Sequence, residues 1–171
     1  MTASSPSTTT PAAEPALDSP TNAPALAGIH HLKFPVSDLE RSLRWYERVL
    51  GGVRQPHWDH LRPDGSVFAY ILMVPGLPYP LELRDSPGMS ARLSGFDPTV
   101  FAVDALPDLE RWQEHLDAQQ VPNSGVLRGI VGWLIVFTDP DGLSLRLYSR
   151  QTHEIDHENS DIDSPWVAYP E

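Results

Sequence analysis

Histidines near acidic residues are the first candidates for chemistry in this sequence, because cysteine is absent and thiol nucleophiles and thiolate metal sites are excluded. One cluster spans His57–His60 (His-Trp-Asp-His), and a second pair, His153 and His157, is spaced by four residues. Imidazoles and carboxylates act as general acids and bases and as metal ligands. On a strand, His57 and His60 would face opposite sides, so we interpret this cluster as one wall of a binding site rather than as a chelating pair. The second pair is a weak candidate for adventitious metal binding.

The charge and hydropathy of the chain exclude several classes of protein. The 12 Lys and Arg residues stand against 23 Asp and Glu, and this net charge of −11 argues against nucleic-acid binding. No apolar run approaches the roughly 20 residues of a membrane helix, and the N-terminus lacks the pattern of a signal peptide. No phosphate-binding glycine loop or Gly-x-Ser-x-Gly motif occurs. We therefore expect a cytoplasmic protein with no membrane partner, no nucleic-acid partner and no nucleotide cofactor.

The negative charge is concentrated at the two ends of the chain. Residues 1–27 are rich in Pro, Ser, Thr and Ala and carry two acids and no basic residue, and we predict a disordered tail there. Residues 151–171 carry six acids and no basic residue, which predicts an acidic C-terminal tail. The end of this tail, Trp166–Tyr169, either is solvated or docks onto the domain or a partner. Residues 28–150 have a net charge of only −3 and are predicted to form the folded domain.

An internal repeat organises this domain into two modules, about 28–90 and about 95–150. At an offset of 67 residues the matching pairs are Phe34 and Phe101, Val36 and Val103, Leu39 and Leu106, and Trp45 and Trp112. Each copy begins with a short strand and continues into an amphipathic helix. Asp38 is the predicted N-cap of the first helix and Asp104 or Asp108 that of the second, whereas Gly51 ends the first helix.

About three strands are predicted after each helix. They are Gly52–His60, Ser66–Val74 and Pro80–Arg84 in the first module, and Gly125–Arg128, Gly132–Thr138 and Leu143–Ser149 in the second. The sequence therefore predicts an α+β fold of two βαβββ modules. Each module is too small for a full core, so we expect the two to pair around a shared cleft.

The chain resembles the vicinal oxygen chelate superfamily, which has the glyoxalase/bleomycin resistance/dioxygenase fold. The segments that carry the resemblance are His31–Leu39, Arg41–Gly51, Leu81–Leu83, Phe101–Asp104, Phe137–Gly142 and Leu145–Leu147. The resemblance implies two βαβββ modules that form a cupped eight-stranded mixed sheet with helices on the outside. It also implies a homodimer and, in the metal-dependent members, a divalent ion in the cup.

The resemblance implies only half of the usual set of metal ligands. In the first module it places His31 and Glu82 at ligand positions, where imidazole and carboxylate suit a divalent metal. In the second module the equivalent positions hold Pro98 and Arg146, and a permanent cation repels a metal. We therefore expect either no cofactor or a weakly held divalent metal on His31 and Glu82.

Strand alternation indicates which other side chains share the cup with these residues. Lys33 and Arg84 would face it from the first module and Tyr148 from the second. The other predicted substrate-binding residues are Trp58, Tyr70 and Trp133. The predicted catalytic residues are His31, Glu82 and Arg146. Two hypotheses for Arg146 remain open: it pairs with Glu82, or it clamps an oxygen of the ligand while His31 acts as acid or base.

Three functions follow from these expectations. The first is a glyoxalase-like enzyme of the lyase, isomerase or oxygenase type with an incomplete metal site, in which Arg146 replaces a ligand. The second is a metal-free protein that binds or sequesters a small molecule, as bleomycin resistance proteins do. The third is a scaffold that acts through dimerisation or its acidic tail. Extradiol dioxygenase chemistry is disfavoured by the missing ligands. The expected partner is a small organic ligand, anionic or aromatic.

Overall fold

The computed structural model of the protein describes residues 24–167. Its strands are β1 (Leu32–Val36), β2 (Val53–Arg54), β3 (His60–Leu61), β4 (Val67–Met73), β5 (Leu81–Asp85), β6 (Val100–Val103), β7 (Leu127–Arg128), β8 (Trp133–Thr138) and β9 (Ser144–Ser149). Its α-helices are α1 (Leu39–Leu50), α2 (Pro87–Leu93) and α3 (Leu106–Ala118). Between residues 24 and 167 no helix is long and apolar enough to cross a membrane. The predicted disordered tail lies outside the described residues except for 24–27, as does the end of the acidic tail, 168–171.

Two sheets with the same connectivity confirm the two modules. The first has the order β1-β5-β4-β2, with β3 also paired to β4, and the second has the order β6-β9-β8-β7. In each sheet the first strand of the module lies parallel to its last strand. Lys33 pairs with Glu82 in the first sheet, and Val100 pairs with Arg146 in the second. Because Lys33 and Val100 are 67 residues apart, this register makes Arg146 the equivalent of Glu82.

The first helix begins and ends where the sequence predicts. The Asp38 side chain accepts a hydrogen bond from the backbone N–H of Arg41 at 2.9 Å, and Gly51 ends the helix with a left-handed φ of 66°. In the second long helix, α3, the N-cap position is occupied by Ala105 and not by Asp104 or Asp108 as predicted. Asp108 lies inside that turn and accepts a hydrogen bond from the Ala105 N–H at 2.8 Å.

One core joins the two modules through their helices. Leu81 and Leu83 of β5 and Leu145 and Leu147 of β9 belong to the same cluster of buried side chains. The alternate residues of these strands therefore face away from the shared core on two separate sides of the molecule. Trp45 of α1 stacks on Phe137 of β8 with ring centroids 6.3 Å apart, so the first helix packs directly on the second module. The two modules of one chain thus do not enclose a shared cleft.

The second strand of the first module is shorter than predicted. The predicted strand Gly52–His60 consists instead of β2, a 3-10 turn over Pro56–Trp58 and β3. Proline has no N–H for a ladder hydrogen bond, so Pro56 interrupts the pairing with β4. The predicted strand Gly125–Arg128 is likewise reduced to β7. A short helix that the sequence analysis did not predict, α2, connects the two modules.

Candidate ligand-binding site

Glu82 lies at the centre of the open face of the first sheet. Its side chain is only 1% exposed, although its strand neighbours Leu81 and Leu83 point into the core on the opposite side. The Arg84 Nε donates a hydrogen bond to Glu82 Oε1 at 2.6 Å, and the Lys33 Nζ lies 3.6 Å from Oε2. A buried carboxylate is costly unless it is paired, and two cations of the same module compensate this one.

Histidines complete the surroundings of this carboxylate. His31 Nε2 lies 3.3 Å from Glu82 Oε2, and His60 Nδ1 lies 4.0 Å from Oε1. The other ring nitrogen of His31, Nδ1, lies 2.9 Å from His30 Nδ1. The structure therefore brings His31, Lys33, Glu82 and Arg84 together as the strand pattern predicted. His60 was missed as a site residue, although its expected position on the same face as Trp58 was a signal for it.

Glu82 and the histidines beside it line a cavity of about 490 Å³, the module-one pocket, whereas Lys33 and Arg84 contact Glu82 from outside this lining. Its lining residues are His30, His31, Trp58, His60, Ile71, Pro80 and Glu82. Trp58, Ile71 and Pro80 give the pocket an apolar wall opposite the charged cluster. The Trp58 side chain lies in the cavity as predicted, and the residue remains 48% exposed, so the pocket is open to solvent on that side.

Asp59 fixes the turn that carries Trp58 and His60. It accepts a hydrogen bond from Arg54 Nε at 2.9 Å and a longer one from the backbone N–H of Ile71 at 3.3 Å. The cluster predicted as a flat strand is therefore a folded corner between β2 and β3. His57 is exposed at this corner, which is consistent with the interpretation that His57 and His60 do not form a chelating pair.

The open face of the second sheet has its own cavity of about 440 Å³, the module-two pocket. Arg146 and Tyr148 line it, as predicted, together with Leu134. The hypothesis that Arg146 pairs with Glu82 is wrong within one chain, because the two residues line different cavities and Glu82 is paired within its own module. Arg146 Nε instead lies 2.8 Å from Asp97 Oδ2.

Asp97 was not predicted as a site residue. At the 67-residue offset it is equivalent to His30, which lines the other pocket, and the repeat could have identified it by this equivalence. Its side chain is 6% exposed. Burial raises the pKa of the Asp97 carboxyl, and the positive charge of Arg146 opposes that rise.

Two aromatic residues predicted to bind substrate lie elsewhere. Tyr70 pairs with Leu83 on the core side of the sheet, and its hydroxyl donates a hydrogen bond to Glu40. Trp133 packs partly against the core, and its neighbour Leu134, on the opposite side of the strand, is the residue that lines the module-two pocket. Both predictions failed because these residues are one position out of phase with the cup-facing residues of their strands.

The residues present do not fit a resident divalent metal ion. In the described part of the chain, no three His, Asp or Glu side chains are arranged to hold one. Arg84 already donates to Glu82 Oε1, and Lys33 lies next to the other oxygen. A metal at this carboxylate would have to displace or face these cations, and the module-two equivalent, Arg146, is itself a cation. His153 and His157 are also unsuited to chelation, because their segment is not helical.

Comparison with known proteins agrees with this fold. The model of the Glyoxalase/Bleomycin resistance protein/Dioxygenase superfamily matches residues 28–147. No curated protein matches the chain. Among solved structures, a glyoxylase/bleomycin resistance protein/dioxygenase domain from Frankia sp. EAN1pec is 26% identical with a TM-score of 0.56, and the match covers 73% of this chain and 98% of that one.

Two further structures share the fold at lower identity. TnmS3, an antibiotic binding protein from Streptomyces sp. CB03234, is 22% identical with a TM-score of 0.60 over 74% of this chain and 98% of its own. FosX, a fosfomycin resistance protein from Listeria monocytogenes solved with Mn(II) and sulfate, is 12% identical with a TM-score of 0.56 over 73% and 91%. The repeated module and the parallel pairing within each sheet are consistent with the family whose model matches residues 28–147. The chain belongs to the glyoxalase/bleomycin resistance protein/dioxygenase superfamily.

Proposed function

We propose that the protein binds a small aromatic anion, and that it does so without a resident metal ion. The observation that carries this proposal is the pairing of Glu82 with Arg84 and Lys33. Two cations face one carboxylate, so this charged cluster beside the module-one pocket carries one excess positive charge, which attracts an anionic group. In this interpretation the guanidinium of Arg84 balances the charge that a metal would otherwise balance.

The apolar wall of the pocket supports an aromatic ligand. Trp58, Ile71 and Pro80 lie opposite the charged cluster in a cavity of about 490 Å³, which is large enough for a molecule of two or three rings. An indole that is half exposed offers a face on which a flat ligand can stack. The fold neighbour TnmS3 is an antibiotic binding protein, and its function supports binding rather than turnover as the role of this pocket.

We also propose that two copies of the chain complete the cup. The open faces of one chain lie on opposite sides of a shared core and have no lining residue in common. The first face centres on Glu82 with its two cations, and the second on Arg146 with its partner Asp97. Opposed faces of two copies would close a cup that each face alone leaves open.

A second candidate is a lyase or isomerase reaction of the glyoxalase type. One observation favours it: His31 lies between His30 and Glu82 within 3.3 Å of each, which orients its ring as in a proton-transfer group. In that role Glu82 would hold the ring through Nε2, and the ligand would replace His30 at Nδ1 and exchange a proton with that nitrogen.

Titration with 1-anilinonaphthalene-8-sulfonate, an aromatic anion, tests the first proposal. We expect saturable binding with partial quenching of tryptophan fluorescence, and a Kd about tenfold weaker for Lys33→Met, because one charge interaction with the sulfonate is lost. Arg92→Met is the matched control, because Arg92 is exposed on α2 away from both pockets, and its Kd should not change. Absence of binding, or equal affinity in Lys33→Met, would contradict the proposal.

Elemental analysis combined with mass spectrometry separates the two candidates. A binding protein should carry no stoichiometric Fe, Ni, Mn or Zn and release an aromatic anion on denaturation. Stoichiometric metal that disappears in His31→Ala or Glu82→Ala would contradict metal independence and favour the enzyme.

A further inference from the structure

The C-terminal segment (residues 151–167) is docked along an edge of the second sheet. Three backbone hydrogen bonds hold it: His153 N–H to Val131 C=O at 3.0 Å, Asp156 N–H to Ile130 C=O at 2.9 Å, and Asp161 N–H to Arg128 C=O at 2.8 Å. Regular contacts of this kind distinguish a docked segment from a solvated tail. Of the two alternatives left open for the acidic tail, the contacts of residues 151–167 favour docking onto the domain.

The acidic residues of the segment have specific partners in the domain. The backbone N–H of Arg128 donates to Asp161 Oδ2 at 2.7 Å, and its guanidinium lies 3.1 Å from Asp156 Oδ2. His153 packs edge-on against Trp133 with ring centroids 4.9 Å apart. Two of the acids that dominate the composition of the tail therefore anchor it to one arginine of the second module.

This docking places apolar side chains of the segment in the module-two pocket. Ile162 and Val167 line the cavity together with Leu134 of β8 and Tyr148 of β9. Ile155 belongs to the same segment but is 72% exposed and does not line the cavity. The segment lies beyond residue 147, where the match to the superfamily ends, so this wall is an addition to the shared fold.

The pocket also has a charged group that a ligand can pair with. Arg146 lines the cavity, and its Nε lies 2.8 Å from Asp97 Oδ2. A guanidinium carries five N–H groups, so Arg146 keeps donors for a polar atom of a bound molecule beside its ion pair with Asp97.

We propose that the C-terminal segment is a wall of the ligand cup, and that Ile162 and Val167 select ligands with an extended apolar end. The inference rests on the proposed function, in which the module-two face forms half of the cup. The apolar end of the ligand lies against Ile162, Val167 and Leu134, and a polar atom of the ligand pairs with Arg146. The anionic group lies near Lys33 in the opposite half of the cup.

Two probes that share an anion but differ in apolar length test this proposal in the full chain. They are naphthalene-1-sulfonate and 1-anilinonaphthalene-8-sulfonate, titrated by calorimetry. We expect Ile162→Ala/Val167→Ala to weaken the longer probe about tenfold, because several buried methyl groups are lost, and to leave the shorter probe within twofold. Ile155→Ala is the matched control, with the same substitution at an exposed position of the same segment. It should bind both probes as the wild type does.

Unchanged affinity of the double variant for the longer probe would overturn the inference and leave the proposed function standing if Lys33→Met still weakens binding. Absence of binding of either probe to the wild type would overturn both. If the double variant loses its cooperative thermal transition, Ile162→Ala alone provides the test, because Ile162 is 53% exposed and its truncation leaves the core intact. A threefold or greater loss for the longer probe then supports the proposal, and no loss overturns it.

Discussion

The chemistry at the centre of the first sheet depends on how the charge of Glu82 is balanced. Its position in the strand makes it a buried carboxylate, and a carboxylate in that environment needs a cation. Two residues further along the same strand, Arg84 faces the same side and supplies that cation, with its guanidinium 5.0 Å from the Phe68 ring centre. The pair is therefore built into one strand and does not depend on a metal or on the second module.

Removal of this partner is predicted to destabilise the protein. Arg84→Met keeps most of the side-chain length but leaves Glu82 with Lys33 and the two imidazoles and without its hydrogen-bonded guanidinium, so we expect the free energy of unfolding to fall by about 2 kcal/mol in urea. Glu82→Gln/Arg84→Met removes both charges and should recover at least half of that loss. A loss in the double variant equal to the sum of the losses of Glu82→Gln and Arg84→Met would show that the two side chains are not coupled.

The sequence identified the residues of the first sheet face because strand alternation is a strict rule over short distances. His31, Lys33, Glu82 and Arg84 all follow from it. It did not identify the pairing of Arg146 with Asp97, because Asp97 lies before β6, in a connection whose path depends on α2. It misplaced Tyr70 and Trp133 because apolar strand residues on either face look alike in sequence.

The turn between β8 and β9 contacts the first module through two carboxylates, Asp139 and Asp141. The pKa of Asp139 is raised, whereas that of Asp141 is lowered. Asp139 is buried and accepts a hydrogen bond from the Tyr46 hydroxyl at 3.0 Å, and burial raises its pKa despite this bond and that from the Leu143 N–H. Burial would also raise the pKa of Asp141, but hydrogen bonds from Ser37 and the charge of Arg41 outweigh it, so its pKa is lowered.

The two carboxylates predict opposite pH dependences. A raised pKa means that the contribution of Asp139 to stability is complete below the ordinary pKa of 3.8 and is lost as the pH rises through the raised value. We therefore expect Asp139→Asn to gain stability relative to the wild type as the pH rises from about 4 through the raised value. Urea unfolding at a series of pH values measures this difference.

Asp141→Asn is the control for this experiment, and its sign is reversed. With a lowered pKa, the contribution of Asp141 is present above the ordinary value and is lost as the pH falls through the lowered one. The deficit of Asp141→Asn relative to the wild type should therefore shrink below about pH 4. If both variants changed with the same sign, the assigned environments would be wrong.

The repeat and the helix caps predicted the order of the helices and strands and most of their boundaries. The interruptions within predicted strands depended on single residues. Pro56 divides the strand predicted over Gly52–His60, and this division turns Trp58 and His60 into the module-one pocket. Sequence periodicity does not predict the docking of the C-terminal segment, because backbone groups make its hydrogen bonds to a distant edge of the second sheet. Backbone contacts of this kind leave no pattern in the side chains.

The arrangement of the whole molecule predicts a dimer. One chain presents two open faces, each with its own cavity, and the two cavities have no lining residue in common. We expect light scattering after size exclusion to give twice the chain mass of 19.0 kDa at micromolar concentration. A mass of one chain under these conditions would leave the two pockets as separate sites.

Metal independence of ligand binding is the central claim, and one titration tests it most directly. The protein is treated with a chelator, dialysed, and titrated with 1-anilinonaphthalene-8-sulfonate with and without added Mn(II). We expect the same Kd within twofold under both conditions, because Arg84 and Lys33 already provide the positive charge at Glu82. Binding that appears only with Mn(II) would contradict the claim.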